Sequence, residues 1–277
     1  MITLNLFTSG RHTQPLIKVL KEAENIQVLN IYQSLLEKPK LADVFLVADF
    51  GQIIPRKILE TPKYGSLCIH PSLLPKYRGT SPVQYAILNG EKETGVTIFK
   101  MDEKVDHGPI IAQFKEEIRP DDTSESLYAR LFAAGGQVLL TILPAWIEGR
   151  IEPREQNHKK ATYTKILKRE DGKIDWGKSD EEIECFIRAM SPWPGAWTEI
   201  KVKSQKSCLR RQAKVKSRRL KILKAHLEET LNTQHVTAKQ IKLILDVVQL
   251  EGKKPVSWKQ FKEGYPETDL SRLISRT

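Results

Sequence analysis

Val44-Phe45-Leu46-Val47-Ala48-Asp49-Phe50-Gly51-Gln52-Ile53-Ile54-Pro55 begins as an unbroken apolar run and ends on a glycine and a proline. A strand with no polar alternation is apolar on both faces, the pattern of a parallel strand covered by helices on either side. Gly51 to Pro55 then turns the chain into a short helix, Arg56 to Glu60. Toward the amino end, Ile26-Gln27-Val28-Leu29-Asn30-Ile31 and Ile2-Thr3-Leu4-Asn5-Leu6-Phe7 read as strands by β-propensity. Between them Leu16, Val19, Leu20 and Ala23 fall at i, i+3, i+4 and i+7, one apolar helical face, and Pro15 suits its first turn. Strands alternating with helices predict an α/β fold with an open, mostly parallel sheet, whose ligands bind beyond the carboxyl ends of the strands. Phe50 and Gly51 fall at such an end. The triplet Asp49-Phe50-Gly51 also occurs in kinases, but the chain has no His-Arg-Asp loop, glycine-rich phosphate loop or Walker lysine to accompany it.

Downstream, Leu67-Cys68-Ile69-His70-Pro71-Ser72-Leu73-Leu74-Pro75-Lys76-Tyr77-Arg78-Gly79 delivers His70 to the end of another strand. Pro71 and Pro75 there fix a rigid loop instead of letting a helix begin. A second turn, Met101-Asp102-Glu103-Lys104-Val105-Asp106-His107-Gly108-Pro109, supplies a carboxylate. A histidine with an acidic partner is an acid/base pair in many enzymes and a structural pair in many other proteins; spacing alone leaves both open.

Composition narrows the class. The 277 residues are 29% charged and 40% hydrophobic, as expected of a soluble globular protein with one large or two modest cores. No apolar run reads as a membrane span, and Met1 to Leu6 lacks a basic leader, so the expected location is the cytoplasm. Cys68, Cys185 and Cys208 are scattered, which argues against structural disulfides and against a zinc site; no metal is expected. A net charge of +11 points to a polyanionic partner or simply to a basic surface.

Val96-Thr97-Ile98-Phe99 and Ile110-Ile111-Ala112-Gln113-Phe114 read as strands. Asp122 with Glu125 forms a capping-box pattern before a helix carrying Leu127, Leu131, Ala134, Val138 and Ile142. Pro153 to Lys173 is polar and reads as a linker in which His158 is solvated. Ser179 and Glu182 cap a second helix with Ile183, Phe186, Ile187 and Met190 on its apolar face, before the rigid turn Ser191-Pro192-Trp193-Pro194-Gly195-Ala196-Trp197. Strands follow at Ala196 to Val202, Leu220 to Ala225 and Leu243 to Leu250. Between Lys201 and Lys224 the chain is rich in lysine and arginine and holds no acidic residue. Such a run is either a solvated face or a phosphate-binding surface.

His70-Pro-Ser-Leu-Leu-Pro-Lys-Tyr-Arg-Gly79, followed by Ser81-Pro82-Val83-Gln84, Glu93 to Ile98 and Asp106-His107-Gly108, resembles the signature of the methionyl-tRNA formyltransferase family. With Ile174-Asp175-Trp176, the Ser191 to Trp197 turn and Val248 to Pro255, the resemblance covers most of residues 43 to 266. It implies a Rossmann-like catalytic domain (1–152), a linker (153–176) and an OB-like β-barrel that holds tRNA (177–277). Against the family pattern one βα unit is missing ahead of the Val44 strand, giving a sheet one strand smaller. The implied reaction is transfer of a formyl group from 10-formyltetrahydrofolate, a co-substrate, to the amino group of methionyl initiator tRNA. His70 and Asp106 are then the catalytic pair, and Ser72, Leu73, Leu74, Pro75, Phe50 and Gly51 contact the folate. Arg210, Arg211, Lys214, Lys216, Arg218 and Arg219 supply tRNA contacts, and nothing requires more than a monomer. Cys68 stands where the family has an asparagine that donates to the oxyanion, and a thiol is a weaker donor than an amide. The cysteine is alternatively a packing residue or a nucleophile. Two other functions stay open: a non-catalytic tRNA- or folate-binding descendant, and a formyltransferase acting on an amino sugar or nucleotide.

Overall fold

Ile2–Phe7 (β1) runs through the interior of a six-stranded sheet in a computed structural model that describes residues 1–203, 215–231, 239–266 and 268. The chain continues through α1 (Gln14–Lys21), β2 (Ile26–Tyr32), β3 (Val44–Val47), α2 (Arg56–Leu59), β4 (Ser66–His70) and the short β5 (Arg78–Gly79). Then come α3 (Pro82–Leu88), β6 (Glu93–Lys100), β7 (Ile110–Glu117), α4 (Ser124–Ile147) and β8 (Tyr163–Thr164). The sheet order is β2-β1-β3-β4-β6-β7. The first four strands are mutually parallel, and β6 and β7 run antiparallel at the far side. The apolar run of β3 is buried at every residue, as a strand covered on both faces requires. In register Phe7 lies beside Val47 and Val47 beside Cys68, so the chain leaves β1, β3 and β4 at one end of the sheet.

Two adjacent glycines decide how this sheet is covered. Gly135 and Gly136 sit inside α4, where each costs about 1 kcal/mol of helix propensity relative to alanine. A Cβ on Gly135 would lie 2.8 Å from Ile69 in the sheet, and one on Gly136 would lie 3.0 Å from Leu16 and Val19 on α1. The bare backbone therefore lets α4 lie between β4 and α1, and Leu16 and Leu20 of the expected α1 face are fully buried there. By length and mean hydropathy α4 could cross a membrane, yet Leu127, Leu131, Phe132, Leu139 and Leu143 are buried within the unit. Its cap differs from the sequence reading. Thr123, not Asp122, is the N-cap, exchanging bonds with Ser126, while Asp122 accepts from Arg119 N and both Nη1 and Nη2 of Arg130.

The described residues divide into two units, Met1–Ala86 with Glu91–Ile166, and Ile87–Gly90 with Leu167 onward. In the second, α5 (Asp180–Met190) begins at the Ser179/Glu182 capping box. It packs on an antiparallel sheet of β9 (Ala196–Lys203), β10 (Val215–Leu231), β11 (Lys239–Leu250) and β12 (Val256–Ser257), and α6 (Trp258–Gly264) follows. Leu220, Ile222, Leu243, Leu245 and Val248 form its core with Ile183, Ile187 and Met190. Strand β10 outruns the Leu220 to Ala225 segment because it pairs on both sides, from Val215 with β9 and as far as Leu231 with β11.

Candidate active site

The turns at the carboxyl ends of β1 and β3 are tied together. Ser9 N donates to Asp49 O at 3.1 Å, and the Ser9 hydroxyl accepts from Gly51 N at 3.2 Å. Asp49 adopts φ +49°, and its carboxyl packs so closely on Gly10 that no Cβ would fit there. Across from these turns stand Cys68 and His70 at the end of β4 and the Met101–Asp106 turn after β6, and together they enclose a cavity of 440 Å³.

His70 is 5% exposed, and its Nε2–H donates to Tyr77 O at 2.9 Å, a carbonyl that can only accept. That bond fixes the ring and leaves Nδ1 as the free nitrogen. Nδ1 lies 3.6 Å from Asp106 Oδ2, beyond hydrogen-bond range. Both atoms are therefore available to an N–H or O–H that enters beside them. Asp106 is held independently of the ring. Its backbone is in the left-handed region at φ +47°, its Oδ2 accepts from Gly79 N at 2.7 Å, and its own carbonyl accepts from Gln156 Nε2 at 3.0 Å. Gly79 has φ +103°, and a Cβ there would meet Thr164 O at 2.7 Å, so a glycine is needed for its N–H to reach the carboxylate.

Cys68 is 7% exposed, lining the cavity and belonging to the buried cluster that holds Phe45, Val47 and Leu74. Burial, with the charge of Asp106 adding to it, pushes its thiol well above the ordinary range. A thiol in such surroundings is a weak donor, and they disfavour the thiolate that a nucleophile needs.

The remaining sequence-derived residues divide. Phe50 and Gly51 line the cavity. Ser72, Leu73, Leu74 and Pro75 follow His70 and Pro71, which line the cavity, and build the loop beside it. The Ser72 hydroxyl donates to Lys76 O, Leu74 N donates to Thr97 Oγ1, and Gln113 donates to Leu74 O, so this segment is turned inward by side chains of β6 and β7. Arg210, Arg211 and Lys214 lie outside the described residues, and Lys216 is described only as part of β10. Arg218 is exposed, whereas the Arg219 guanidinium lies 4.5 Å over the Trp197 ring.

Sequence reading missed a supporting network. Arg78, 1% exposed, donates through Nη2 to Gln156 Oε1 at 2.6 Å and to His158 Nδ1 at 2.8 Å. Gln156 in turn holds the carbonyls of Asp106 and Gly108. His158 is exposed as expected but not idle: it stacks on His107 at 4.0 Å, and desolvation, His107 and Arg78 hold its pKa below the usual histidine range, so it remains an acceptor. Gln156 and His158 lie in the polar stretch that reads as a linker, where no periodicity marks them. Among the described residues no group of three or more His, Cys, Asp or Glu could hold a metal.

Comparison with known proteins places this geometry. Residues 21–143 match the formyl transferase family and residues 166–266 match the formyl transferase C-terminal domain. The chain is 43% identical over 232 residues to a methionyl-tRNA formyltransferase of Roseiflexus castenholzii, covering 83% of this chain and 73% of that protein. Other curated methionyl-tRNA formyltransferases are matched over as little as 50% of their length. The fold is shared with a methionyl-tRNA formyltransferase from Clostridium thermocellum (TM-score 0.59, 20% identity, 88% of this chain and 100% of that one). It is shared equally with a sugar N-formyltransferase from a Shewanella species (TM-score 0.57, 19% identity, 77% and 98%), so structural likeness alone does not separate the two. The sequence relationship does, and by it the chain belongs to the methionyl-tRNA formyltransferase family.

Proposed function

We propose that this protein transfers the formyl group of 10-formyltetrahydrofolate to the α-amino group of methionyl initiator tRNA. The observation that carries the reading is the convergence of Cys68, His70 Nδ1 and Asp106 Oδ2 on one cavity. The amine attacks the formyl carbon, a C–N bond forms, and the carbonyl oxygen becomes an oxyanion. Collapse breaks the bond to folate N10, which takes up the proton the amine loses. His70 Nδ1 and the Asp106 carboxylate both accept, so either can take that proton directly or through water and return it to the leaving nitrogen. On this reading the Cys68 thiol, which lines the cavity, faces the oxyanion, a role an amide fills better. By the same reading residues 1–152 carry the chemistry, with Gln156 and His158 of the 153–176 link supporting it, and 177–277 hold the tRNA, where Arg218 is exposed. On this reading the protein acts in the cytoplasm as a monomer.

The test is formyl transfer from 10-formyltetrahydrofolate to methionyl initiator tRNA by the wild type, Cys68→Asn and His70→Ala. The expected order is Cys68→Asn fastest, by about tenfold or more over wild type given that a lost oxyanion donor costs about 10²–10³ in rate. His70→Ala is expected to be silent, and activity surviving in it would remove the site assignment. Binding of tRNA with no transfer in either the wild type or Cys68→Asn would mark a protein that binds without reacting.

A further inference from the structure

A second cavity, of 660 Å³, lies in the same unit and has no part in the chemistry above. One wall is the Met101–Lys104 turn, shared with the His70 cavity; the others come from α2, the loop before β4, and the last turn of α4. Its charges do not cancel. Arg56 pairs with Glu60 at 2.7 Å, and the lining sets Arg56, Lys63, Lys100 and Lys104 against Glu60, Asp102 and Glu103, an excess of one positive charge, with Asp43 near Lys63 and Glu103 near Arg56. All three lysines are exposed and in no ion pair among the described residues. Below them the wall is aromatic and fixed. Trp146 donates its ring N–H to Tyr64 O at 3.0 Å, and Lys63 lies 4.9 Å over the Tyr64 ring. Leu59, Pro62 and Met101 add apolar lining.

An anion alone would use the ammonium rim and leave the aromatic wall bare; an apolar ligand would do the reverse. A flat, stacking base joined to a phosphate uses both, and the volume falls in the range of small-ligand sites. We propose that this cavity binds a nucleoside monophosphate unit, the base against Trp146 and Tyr64 and the phosphate between Lys63, Lys100 and Lys104. Two sources carry that chemistry: a free mononucleotide, and the unpaired 3′ end of an RNA. The inference does not depend on formyl transfer.

Trp146 is a usable reporter, because the other tryptophans, 176, 193, 197 and 258, belong to the second unit. Adenosine 5′-monophosphate, adenosine, and the trinucleotide CCA are titrated into the full-length protein, with tetrahydrofolate present to keep the His70 cavity out of the result. Saturable quenching by the monophosphate is expected, weaker by about tenfold or more in Lys63→Ala/Lys104→Ala as two charge-assisted phosphate contacts are lost. Trp146→Phe should abolish the signal. CCA binding tighter than the monophosphate would assign the site to an RNA end, and the opposite order to a free nucleotide. Quenching that is absent, equal for adenosine and its monophosphate, or unchanged in the double lysine variant overturns the proposal.

Discussion

At the scale of single residues, Gln156 carries more than its place in a polar stretch implies. One side-chain amide accepts from Arg78 and donates to the carbonyls of Asp106 and Gly108, so the turn that aims the carboxylate is tied to a buried cation. Removing it in Gln156→Ala leaves a guanidinium donor and two carbonyls short of partners, at about 1–3 kcal/mol for each group that stays buried and unpaired. The expected result is a lower melting temperature together with a kcat for formyl transfer reduced about tenfold, since Asp106 loses its fixed position while His70 keeps Tyr77 O. A drop in melting temperature with kcat unchanged would reduce Gln156 to a packing residue. Gln156→Glu separates the two sides of the bridge, because it keeps an acceptor for Arg78 but loses the N–H groups that hold the Asp106 turn.

At the scale of elements, the long strands were legible in the sequence, whereas the two-residue strands β5, β8 and β12 and the partners of side chains were not. The Val44 run could only be a strand buried on both faces, and the periodic face of α1 could only pack inward; both follow from local pattern. Asp122 has the residue type of an N-cap, yet Arg130, eight positions along α4, captures its carboxylate and leaves the cap to Thr123. Nothing in the Ser72 to Pro75 stretch itself shows that Thr97 and Gln113, from strands that follow in the chain, hold the Leu74 backbone. Such choices rest on contacts distant in sequence, which no window of residues contains. The Asp122 cluster has a measurable consequence. Burial pushes its carboxyl up, but the bonds from Arg130, Arg119 N and Ser126 outweigh it and leave the pKa below the ordinary carboxylate range. A depressed folded pKa means stability fully present above the unfolded value of about 3.9 and lost as pH falls through the folded one. Asp122→Asn should therefore cost about 2 kcal/mol at neutral pH. The difference from wild type, followed by urea unfolding, should shrink as the pH is taken below about 4. A gap independent of pH would mean that the shape of the cap, not the charge, is what matters.

At the scale of the whole molecule, the net charge of +11 is unevenly spent along the chain, and the stretch from Lys201 to Lys224 has no acid to offset it. A basic surface that meets RNA through phosphates releases counterions, so the logarithm of the affinity falls linearly with the logarithm of salt concentration. Each phosphate contact adds about 0.7 to 0.9 to that slope, which makes the slope a count of contacts. Arg218 and Arg219 are neighbours in β10 with opposite surroundings: Arg218 is exposed, whereas Arg219 stacks on Trp197 and its backbone bonds to Glu251. Arg218→Ala should therefore lower the salt slope for methionyl initiator tRNA by about one and leave the melting temperature unchanged. Arg219→Ala should act the other way, lowering the melting temperature through the lost cation–π contact, worth about 0.5–1 kcal/mol, with little change in slope. Filter binding across a salt series gives the slopes, and thermal unfolding of the same preparations gives the stabilities. If both variants lose slope equally, Arg219 leaves Trp197 to meet the RNA; if neither does, the tRNA contacts this protein elsewhere and the basic run is a solvated face.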